Sequence, residues 1–328
     1  MERLKDSHKQ QFIDGLKERS KTERSLIPTL GILMHPYNTG GYVMADIDDL
    51  EDDQMAAKCS VIVLKFPHPL DVTKHFANKD LFGVEEMRKY AESGQSNQYM
   101  IHIWCNHVSI LDKQKENLVN RKPCGLVSGE ISYLFYNTPE INDWVIKISG
   151  QIPALVTVNF YLTVGTNAPV SSIDPVRKNA LLEKYEIKPI TMEQWESTVQ
   201  YWYPKRRRDF LKHTVIFGCN YCALSKFSNG EKENIVNGRK KEQNVVGFVA
   251  HTLSGQIGAL EVLPEHQKQG LGTYLFERMY KDAKSSNAPL FACVRECDKE
   301  RSFPVRQGFE MVNDYCCQLI VFNEEHVR

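Results

Sequence analysis

The chain has 328 residues, of which 42% are hydrophobic and 25% are charged, a composition typical of folded globular domains. At about 150 residues per domain, this length is sufficient for two domains. The 41 basic and 41 acidic residues cancel, so the chain lacks the net basic charge that attracts nucleic acid or anionic lipid. No apolar run approaches the ~20 residues of a membrane-spanning helix, which argues against a membrane span.

The N-terminal segment is predicted to form a short amphipathic helix. Leu4, His8, Phe12 and Leu16 recur every four residues, which places them on one helix face. The segment lacks the apolar core of a secretory signal, and its acidic residues are unusual in a mitochondrial leader. The segment by itself therefore indicates no targeting route.

The first half of the chain alternates predicted strands and helices. Four runs have the length and pattern of strands: SVIVLKF (60–66), MIHIWCN (100–106), EISYLFYN (130–137) and VTVNFYLTV (156–164). Helices are predicted over 81–93 and 110–120, and residues 35–42 are predicted to be a turn-rich loop. This half contains no set of residues that we recognise as catalytic. Residues 166–179, which contain two prolines and no periodicity, are the predicted linker.

The second half is predicted to lead through several strands to a glycine-rich turn. A strand begins at Tyr185, helical segments follow to about residue 213, and YCALSKF (221–227) is the next strand. After a charged loop over 228–244, the residues up to 263 predict two strands joined by a hairpin at Ser254-Gly255. The elements expected after the turn are a helix from Leu271, a strand over 289–294, a short helix that ends at Gly308, and a last strand over 314–322.

Nine cysteines occur in a chain with no export signal, and we interpret them as reduced thiols. Cys219 and Cys222 form a C-x-x-C motif, but a zinc site would require a second pair at suitable spacing. A redox dithiol is an alternative. We favour thiols that are buried or half-buried in a strand.

The sequence LPEHQKQGLG (263–272) lies where an apolar strand gives way to a helical pattern. Pro264 ends the strand, and Leu271, Leu275, Met279 and Ala283 form one apolar helix stripe. Glycines at such a turn allow positive φ and a close approach to the backbone. The free N–H groups of the first helical turn bind anions well, and a pyrophosphate is the expected ligand. The motif fits neither the Walker nor the dinucleotide-binding glycine pattern.

The Q-x-x-G-x-G turn, with an antiparallel hairpin before it and strand, short helix, Gly-Phe and strand after it, resembles the GNAT superfamily of acyl-CoA-dependent N-acyltransferases. The resemblance extends over roughly residues 185–322. It implies that two neighbouring strands, here 256–262 and 289–294, splay apart to admit the pantetheine of acyl-CoA. The residues expected to hold this cosubstrate are Val262, Leu263, Gln267, Lys268, Gln269, Gly270, Leu271, Gly272 and Thr273.

The chain as a whole is similar to the glycine N-acyltransferase family, loosely but collinearly. The similarity rests on VQYWYPKRRRDFLKHTVIFGCNYCAL and SGQIGALEVLPEHQKQGLGTYLFERMY in the second half, and on GYVMADIDDLEDDQMAAKCSVIVLKF in the first. It implies an α/β fold of two tandem GNAT-like domains, 1–175 and 176–328, each a mixed, mainly antiparallel sheet flanked by helices. It also implies a mitochondrial, monomeric enzyme that conjugates acyl groups to glycine or a similar amine without a metal, with the cytoplasm as the alternative location.

Two catalytic positions depart from the pattern that the resemblance implies. The family's glutamate base corresponds to Gln256, and a carboxamide cannot accept the proton of the attacking amine. Glu261 is the nearest carboxylate of the same strand. Strict alternation puts it on the opposite face from Gln256, although a bulge could re-aim it. A proton relay through water, or an amine that binds already neutral, are the other routes.

The tyrosine that protonates the leaving thiolate in many GNAT enzymes corresponds to Pro304, beside Phe303. CoA thiolate leaves tolerably well without that acid.

Two further groups have two interpretations each. Arg206, Arg207 and Arg208 could bind the carboxylate of an amino-acid acceptor, but a solvated helix face is favoured. Trp195, Tyr201 and Trp202 could line an aromatic acyl pocket, but core packing is favoured.

Three functional hypotheses follow. The first is an enzyme that transfers an acyl group from CoA to an amino acid or another small amine. The second is a CoA-binding protein whose catalysis is weak or lost, as Gln256 and Pro304 would allow. The third is a redox or metal protein built on the Cys219–Cys222 motif.

Overall fold

The structure is a computed structural model that describes residues 2–35, 42–47, 54–67, 99–120, 126, 131–165, 173–203, 208, 211–212, 214–215, 219–226, 244–252, 255–285, 288–298 and 302–322. The strands are β1 (Glu2–Arg3), β2 (Tyr42–Ala45), β3 (Val61–Pro67), β4 (Tyr99–Cys105), β5 (Ile131–Asn137), β6 (Leu155–Val156), β7 (Phe160–Gly165), β8 (Tyr185–Lys188), β9 (Asn220–Ser225), β10 (Val245–His251), β11 (Ile257–Val262), β12 (Phe291–Arg295) and β13 (Phe309–Val321). The α-helices are α1 (Asp6–Ser20), α2 (Ile27–Met34), α3 (Met55–Lys58), α4 (Val108–Lys113), α5 (Lys115–Asn120), α6 (Pro139–Ser149), α7 (Pro175–Lys184), α8 (Met192–Ser197), α9 (Leu271–Ser285) and α10 (Phe303–Arg306).

The described strands form two sheets. The larger has the order β1-β2-β3-β4-β5-β13-β7-β12, with β6 paired to β13, and the smaller has the order β11-β10-β9-β8. The β4–β5 pair is parallel, and the other pairs of described strands are antiparallel. Helices lie against both sheets, so the predicted α/β class with mixed, mainly antiparallel sheets is confirmed.

The last two strands of the chain join the larger sheet, whose other strands come from the first half of the chain. β13 pairs with β5 through Gln318 and Asn137, and with β7 through Val312 and Leu162. β12 pairs with β7 through Cys293 and Leu162. The chain therefore crosses back to its first half after α9. The predicted division into 1–175 and 176–328 stays a prediction.

Apolar periodicity correctly predicts the two longest helices. Phe12 and Leu16 of α1 are buried, as is Leu4 just before the helix, and they pack with α3 and the larger sheet. α9 buries the predicted stripe against one face of the smaller sheet, where Val246 and Val249 of β10 lie. The opposite face packs on Trp195 of α8.

Several predicted elements differ from the structure. The strand predicted over 156–164 is divided into β6 and β7, and the last strand, predicted over 314–322, begins earlier as β13. The helix predicted over 110–120 begins earlier and is divided into α4 and α5. The linker predicted over 166–179 contains the start of α7, because Asp174 caps that helix by accepting a hydrogen bond from the N–H of Val176 at 2.7 Å. Pro175 occupies the first helical position, where a missing N–H costs nothing. The predicted loops at 35–42 and 228–244 and the helix at 81–93 lie wholly or mostly outside the described residues.

A buried histidine makes the stability of the fold dependent on pH. His102 Nδ1 lies 2.8 Å from the carbonyl oxygen of Phe135 and Nε2 lies 2.9 Å from Thr29 Oγ1, so the neutral ring donates to one and accepts from the other. Burial lowers the pKa of His102 to about 4 from 6.5. Between these values the unfolded chain binds more protons than the folded chain, so the free energy of unfolding falls as the pH falls.

We expect His102 to contribute roughly 3 kcal/mol to the loss of unfolding free energy between pH 7 and pH 4. The loss begins as the pH drops through 6.5, the ordinary pKa of histidine. Chemical denaturation at a series of pH values measures it, and a His102→Gln variant should show a shallower dependence on pH. Equal slopes for the variant and the wild type would show that His102 titrates alike in both states.

Candidate functional site: the loop before α9 and the gap between β11 and β12

The segment between β11 and α9 forms a tight loop. After a 3₁₀ turn at Pro264–His266, Lys268 and Gly270 take φ values of +58° and +93°. Gln267 ties the loop to the strand, since its Nε2 donates to the carbonyl oxygen of Val262 at 2.8 Å. The carbonyl of Gly270 accepts from the N–H of Tyr274 at 3.0 Å, which starts the helical hydrogen bonding of α9.

The first turn of α9 leaves its N–H groups available for a ligand. The amides of Leu271, Gly272 and Thr273 precede the first helical hydrogen bond, and within the described residues no protein acceptor is assigned to them. They carry the positive end of the helix dipole, an arrangement that favours phosphate. The nine residues predicted to hold acyl-CoA lie at the end of β11, in the loop and in the first turn of α9, where the side chain of Leu271 is buried. Their role in binding stays a prediction.

The two glycines of the motif differ in what they require. Gly270 adopts φ +93°, a conformation that residues with a side chain rarely take. A Cβ on Gly272 would lie 3.7 Å from Val262 and 3.9 Å from Leu260, which is ordinary contact. We expect Gly270 to be required and Gly272 to accept alanine.

β11 and β12 are neighbours that belong to different sheets, each at an edge. The side chain of Gln256, just before β11, bridges them, because its Oε1 accepts from the N–H of Cys293 in β12 at 3.0 Å. No ladder hydrogen bond joins the two strands among the described residues. β11 and β12 thus lie side by side without pairing, and one side-chain hydrogen bond joins them near Gln256. The interval between these two unpaired strand edges is called the gap below.

The first half of the chain packs near Gln256. A Cβ on Gly31 of α2 would lie 2.5 Å from Phe291 at the start of β12 and 3.1 Å from the carbonyl oxygen of Gly255. His35, at the end of α2, lies 3.3 Å through Nε2 from the carbonyl oxygen of His251 at the end of β10. The second half alone therefore does not enclose this part of the gap.

A bulge in β11 changes which face Glu261 occupies. The β10–β11 register shifts between the pairs Phe248–Glu261 and Ala250–Gly258, and Ala259 takes φ +52°. Ile257 and Leu260 then both pack on the α9 side, whereas Ala259 packs on the other side. Consecutive residues of a strand point to opposite faces, so Glu261, which follows Leu260, lies on the same face as Ala259. Strict alternation from Ile257, without the bulge, would have put Glu261 on the α9 side. The bulge brings Glu261 to the face that alternation gives Gln256, and Glu261 is exposed there.

The position of the tyrosine acid holds Pro304 in α10, and its neighbour is an apolar ring. Phe303 packs edge-on against Phe276 of α9 with ring centroids 5.4 Å apart. Neither Pro304 nor Phe303 can donate a proton to a thiolate.

The other predicted site residues pack largely as structural groups. Arg208 donates from Nε to the carbonyl oxygen of Tyr203 at 2.8 Å, and Arg206 and Arg207 lie outside the described residues. Trp195 is buried against Tyr203 and Phe248, which confirms core packing for this residue. Trp202 packs partly against that core. Tyr201 is 65% exposed, so core packing is wrong for Tyr201.

The C-x-x-C motif contains two shielded thiols. Burial raises the pKa of the Cys222 thiol to about 12 and that of the Cys219 thiol to about 11, so both stay protonated at neutral pH. Cys222 lies in β9 and is fully buried. In the described part of the chain, no group of three or more His, Cys, Asp or Glu side chains is arranged to hold a metal ion.

We expect alkylation to separate these thiols by accessibility. Treatment with iodoacetamide at pH 8, followed by peptide mass spectrometry, should modify the exposed Cys297 first, Cys219 more slowly and Cys222 more slowly still. Fast modification of Cys219 and Cys222 would instead support a reactive dithiol.

Sequence reasoning missed two side chains that hold the loop. Tyr185 and His266 were not singled out, because the partners that give them a role lie 81 residues apart in the chain. The strand start at Tyr185 was predicted, but a strand pattern says nothing about what the tyrosine hydroxyl reaches. The contact between α7 and the loop, where Leu181 lies near Gly270, was missed for the same reason, because it joins segments far apart in the chain.

Comparison with protein families identifies the class of this domain. Residues 187–309 match the family described as the acetyltransferase (GNAT) family. The chain therefore contains an acetyltransferase domain of the GNAT superfamily, a class whose members use acyl-CoA as cosubstrate. The matched segment includes the loop, the gap and the whole smaller sheet except the start of β8. A search of curated proteins found no match.

The comparison with solved structures covers more of the chain than the matched segment. A crystal structure of a protein from Drosophila melanogaster overlays with a TM-score of 0.59 at 13% identity, covering 98% of this chain and 98% of that one. At this identity the likeness shows the fold alone. A GCN5-related N-acetyltransferase-like protein from Streptococcus suis overlays with a TM-score of 0.38 at 9% identity, covering 86% and 88% of the two chains. No helix within the described ranges is long and apolar enough to cross a membrane.

Proposed function

We propose that this protein transfers an acyl group from CoA to the amino group of glycine or a similar small amine. The observation that carries the proposal is the loop over 267–273 beside a gap between two unpaired strand edges, within a GNAT domain. The backbone amides at the start of α9 would bind the pyrophosphate, and the β11 edge at Val262 and Leu263 would bind the pantetheine. The preference for glycine rests on the resemblance to the glycine N-acyltransferase family.

The reaction needs a neutral amine and a leaving thiolate. The amine nitrogen attacks the thioester carbonyl, the tetrahedral intermediate collapses, the C–S bond breaks, and CoA leaves as a thiolate. The proton of the attacking amine passes to a base or to water, and the thiolate takes a proton from solvent. Glu261, the carboxylate of β11, is the alternative to water as the proton acceptor, and the observation in its favour is the bulge that moves it to the face of Gln256.

A CoA-binding protein with little catalysis is the second candidate. It is favoured by Gln256, a carboxamide at the position of the family base whose oxygen accepts from the N–H of Cys293. In that case the loop would bind CoA as in the enzyme, and function would depend on the bound state.

The experiment that separates the two is a mass-spectrometric assay of the purified full chain. Acetyl-, benzoyl- and longer acyl-CoA are mixed with pooled amino acids, and N-acyl products are identified by mass. Formation of an N-acyl amino acid supports the enzyme and identifies both substrates. CoA binding without product supports the binding protein, and absence of both would overturn the proposal.

Domain division, location and assembly are proposed on the resemblance alone. We propose GNAT-like domains at 1–175 and 176–328, a mitochondrial location and a monomer. Cell fractionation and sedimentation test the last two, and a cytoplasmic pool or a stable dimer would contradict them.

A further inference from the structure

Tyr185 links the smaller sheet to the candidate pyrophosphate loop. It is the first residue of β8, the edge strand farthest from β11 in that sheet, and its side chain is 3% exposed. Its hydroxyl lies 2.8 Å from Nδ1 of His266 and 3.2 Å from Oε1 of Gln269. The ring also meets that of His266 edge-on at 5.6 Å between centroids. One buried side chain therefore contacts two residues within the loop.

The direction of these hydrogen bonds follows from the number of protons. A tyrosine hydroxyl has one hydrogen, and the amide oxygen of Gln269 can only accept. Both contacts are hydrogen bonds when Tyr185 donates to Gln269 and His266 donates from a protonated Nδ1. Burial raises the pKa of Tyr185 above its ordinary value, so the hydroxyl keeps its hydrogen at neutral pH.

The bonding continues within the loop. Nε2 of Gln269 donates to the carbonyl oxygen of Glu265 at 3.3 Å, so residues 265 and 269 are joined across the turn. Lys268, with φ +58°, lies between them, and Gly270, with φ +93°, follows. A free chain rarely populates this conformation at Lys268, because a side chain disfavours positive φ, whereas glycine adopts such values readily. The side chains of Tyr185, His266 and Gln269 therefore hold the loop in a shape that its backbone alone would not favour.

We propose that Tyr185 is a positioning residue that fixes the loop in its pyrophosphate-binding shape before acyl-CoA arrives. This inference rests on the proposed function. A preformed loop does not lose conformational freedom when the ligand binds, so the gain appears as affinity. The gain in affinity is confined to acyl donors that carry the pyrophosphate. A thioester that lacks the pyrophosphate does not reach the loop.

The test compares Tyr185→Phe with Tyr221→Phe. The first variant keeps the ring and removes both hydrogen bonds to the loop. Tyr221 of β9, in the same sheet, donates its hydroxyl to Asp282 of α9, near the end of that helix farthest from the loop. The control therefore removes a tyrosine hydrogen bond from the same sheet, but not one that reaches the loop.

Calorimetry measures the binding of CoA and of pantetheine, which lacks the pyrophosphate, to each full-length protein. At roughly 1 kcal/mol for each of two hydrogen bonds, Tyr185→Phe should weaken CoA binding about 5- to 30-fold. Pantetheine binding should not change, and Tyr221→Phe should bind both ligands like the wild type. His266→Ala removes one of the two hydrogen bonds and should show part of the loss, and the double variant should lose little more than Tyr185→Phe.

The outcomes separate this inference from the proposed function. If the wild type binds no CoA, the proposed function fails. If the wild type binds CoA and Tyr185→Phe binds it equally well, the role of Tyr185 is wrong. An equal loss for CoA and pantetheine would show a general structural role, which also overturns the inference.

Discussion

A Gly270→Glu variant is expected to lose CoA affinity by about 100-fold or more, equivalent to at least ~2.7 kcal/mol. Two effects act together. Glutamate must adopt the φ of +93° that Gly270 takes, which strains the loop or reshapes it. The new carboxylate also lies beside the amides that would bind the pyrophosphate, and like charges repel.

Three further variants assign the loss to these causes. Gly270→Ala introduces the backbone strain without the charge and should show an intermediate loss. Gly150→Glu places glutamate at another left-handed glycine, with φ +65° and no atom within 4 Å of a Cβ, far from the loop in sequence. It should bind CoA like the wild type. Gly272→Ala should bind nearly normally, because its Cβ meets only ordinary contacts. Calorimetry measures all four, and normal CoA binding by Gly270→Glu would place the cosubstrate elsewhere.

A Gln256→Glu variant is expected to raise turnover by at least tenfold. The gain should be on the order of 100-fold if removal of the amine proton limits the rate, since a positioned base contributes a factor of ~10² to 10⁴. The substitution is nearly isosteric. One carboxylate oxygen can keep the hydrogen bond from the N–H of Cys293, and the other can accept the amine proton. That hydrogen bond favours the charged carboxylate, which lowers its pKa and limits the gain.

Initial rates with saturating acyl-CoA measure this effect over a range of pH. The variant should gain a rise in rate with pH that follows ionisation of the new carboxylate, whereas Gln256→Leu should not. Glu261→Gln is the companion variant, because it removes the carboxylate that the bulge displaces. A large loss for Glu261→Gln together with no gain for Gln256→Glu would assign the base to Glu261.

Local patterns predicted much of the site. The strand before the loop, the turn at Pro264 and the stripe from Leu271 to Ala283 are short-range signals, and each predicts its own element. The positive φ of Gly270 was also predictable, because a strand-to-helix turn imposes it locally. The nature of the ligand was inferred from the same segment, since helix N-termini bind anions wherever they occur.

Long-range pairing could not be read from those patterns. The strand over 309–321 has the same local pattern whichever sheet it joins, so its place beside β5 and β7 was not foreseen. The bulge at Ala259 depends on the packing of both faces of β11, and alternation alone put Glu261 on the wrong face. The bonds from Tyr185 to the loop and the contact of α2 with Gly255 both join segments far apart in sequence.

The most direct test of the central claim is a crystal structure of the full chain with CoA bound. The account predicts pantetheine between β11 and β12, near Val262 and Leu263. It predicts pyrophosphate oxygens about 2.7–3.2 Å from backbone nitrogens of residues 268–273. CoA bound away from the loop, or a gap closed by direct β11–β12 pairing, would contradict it.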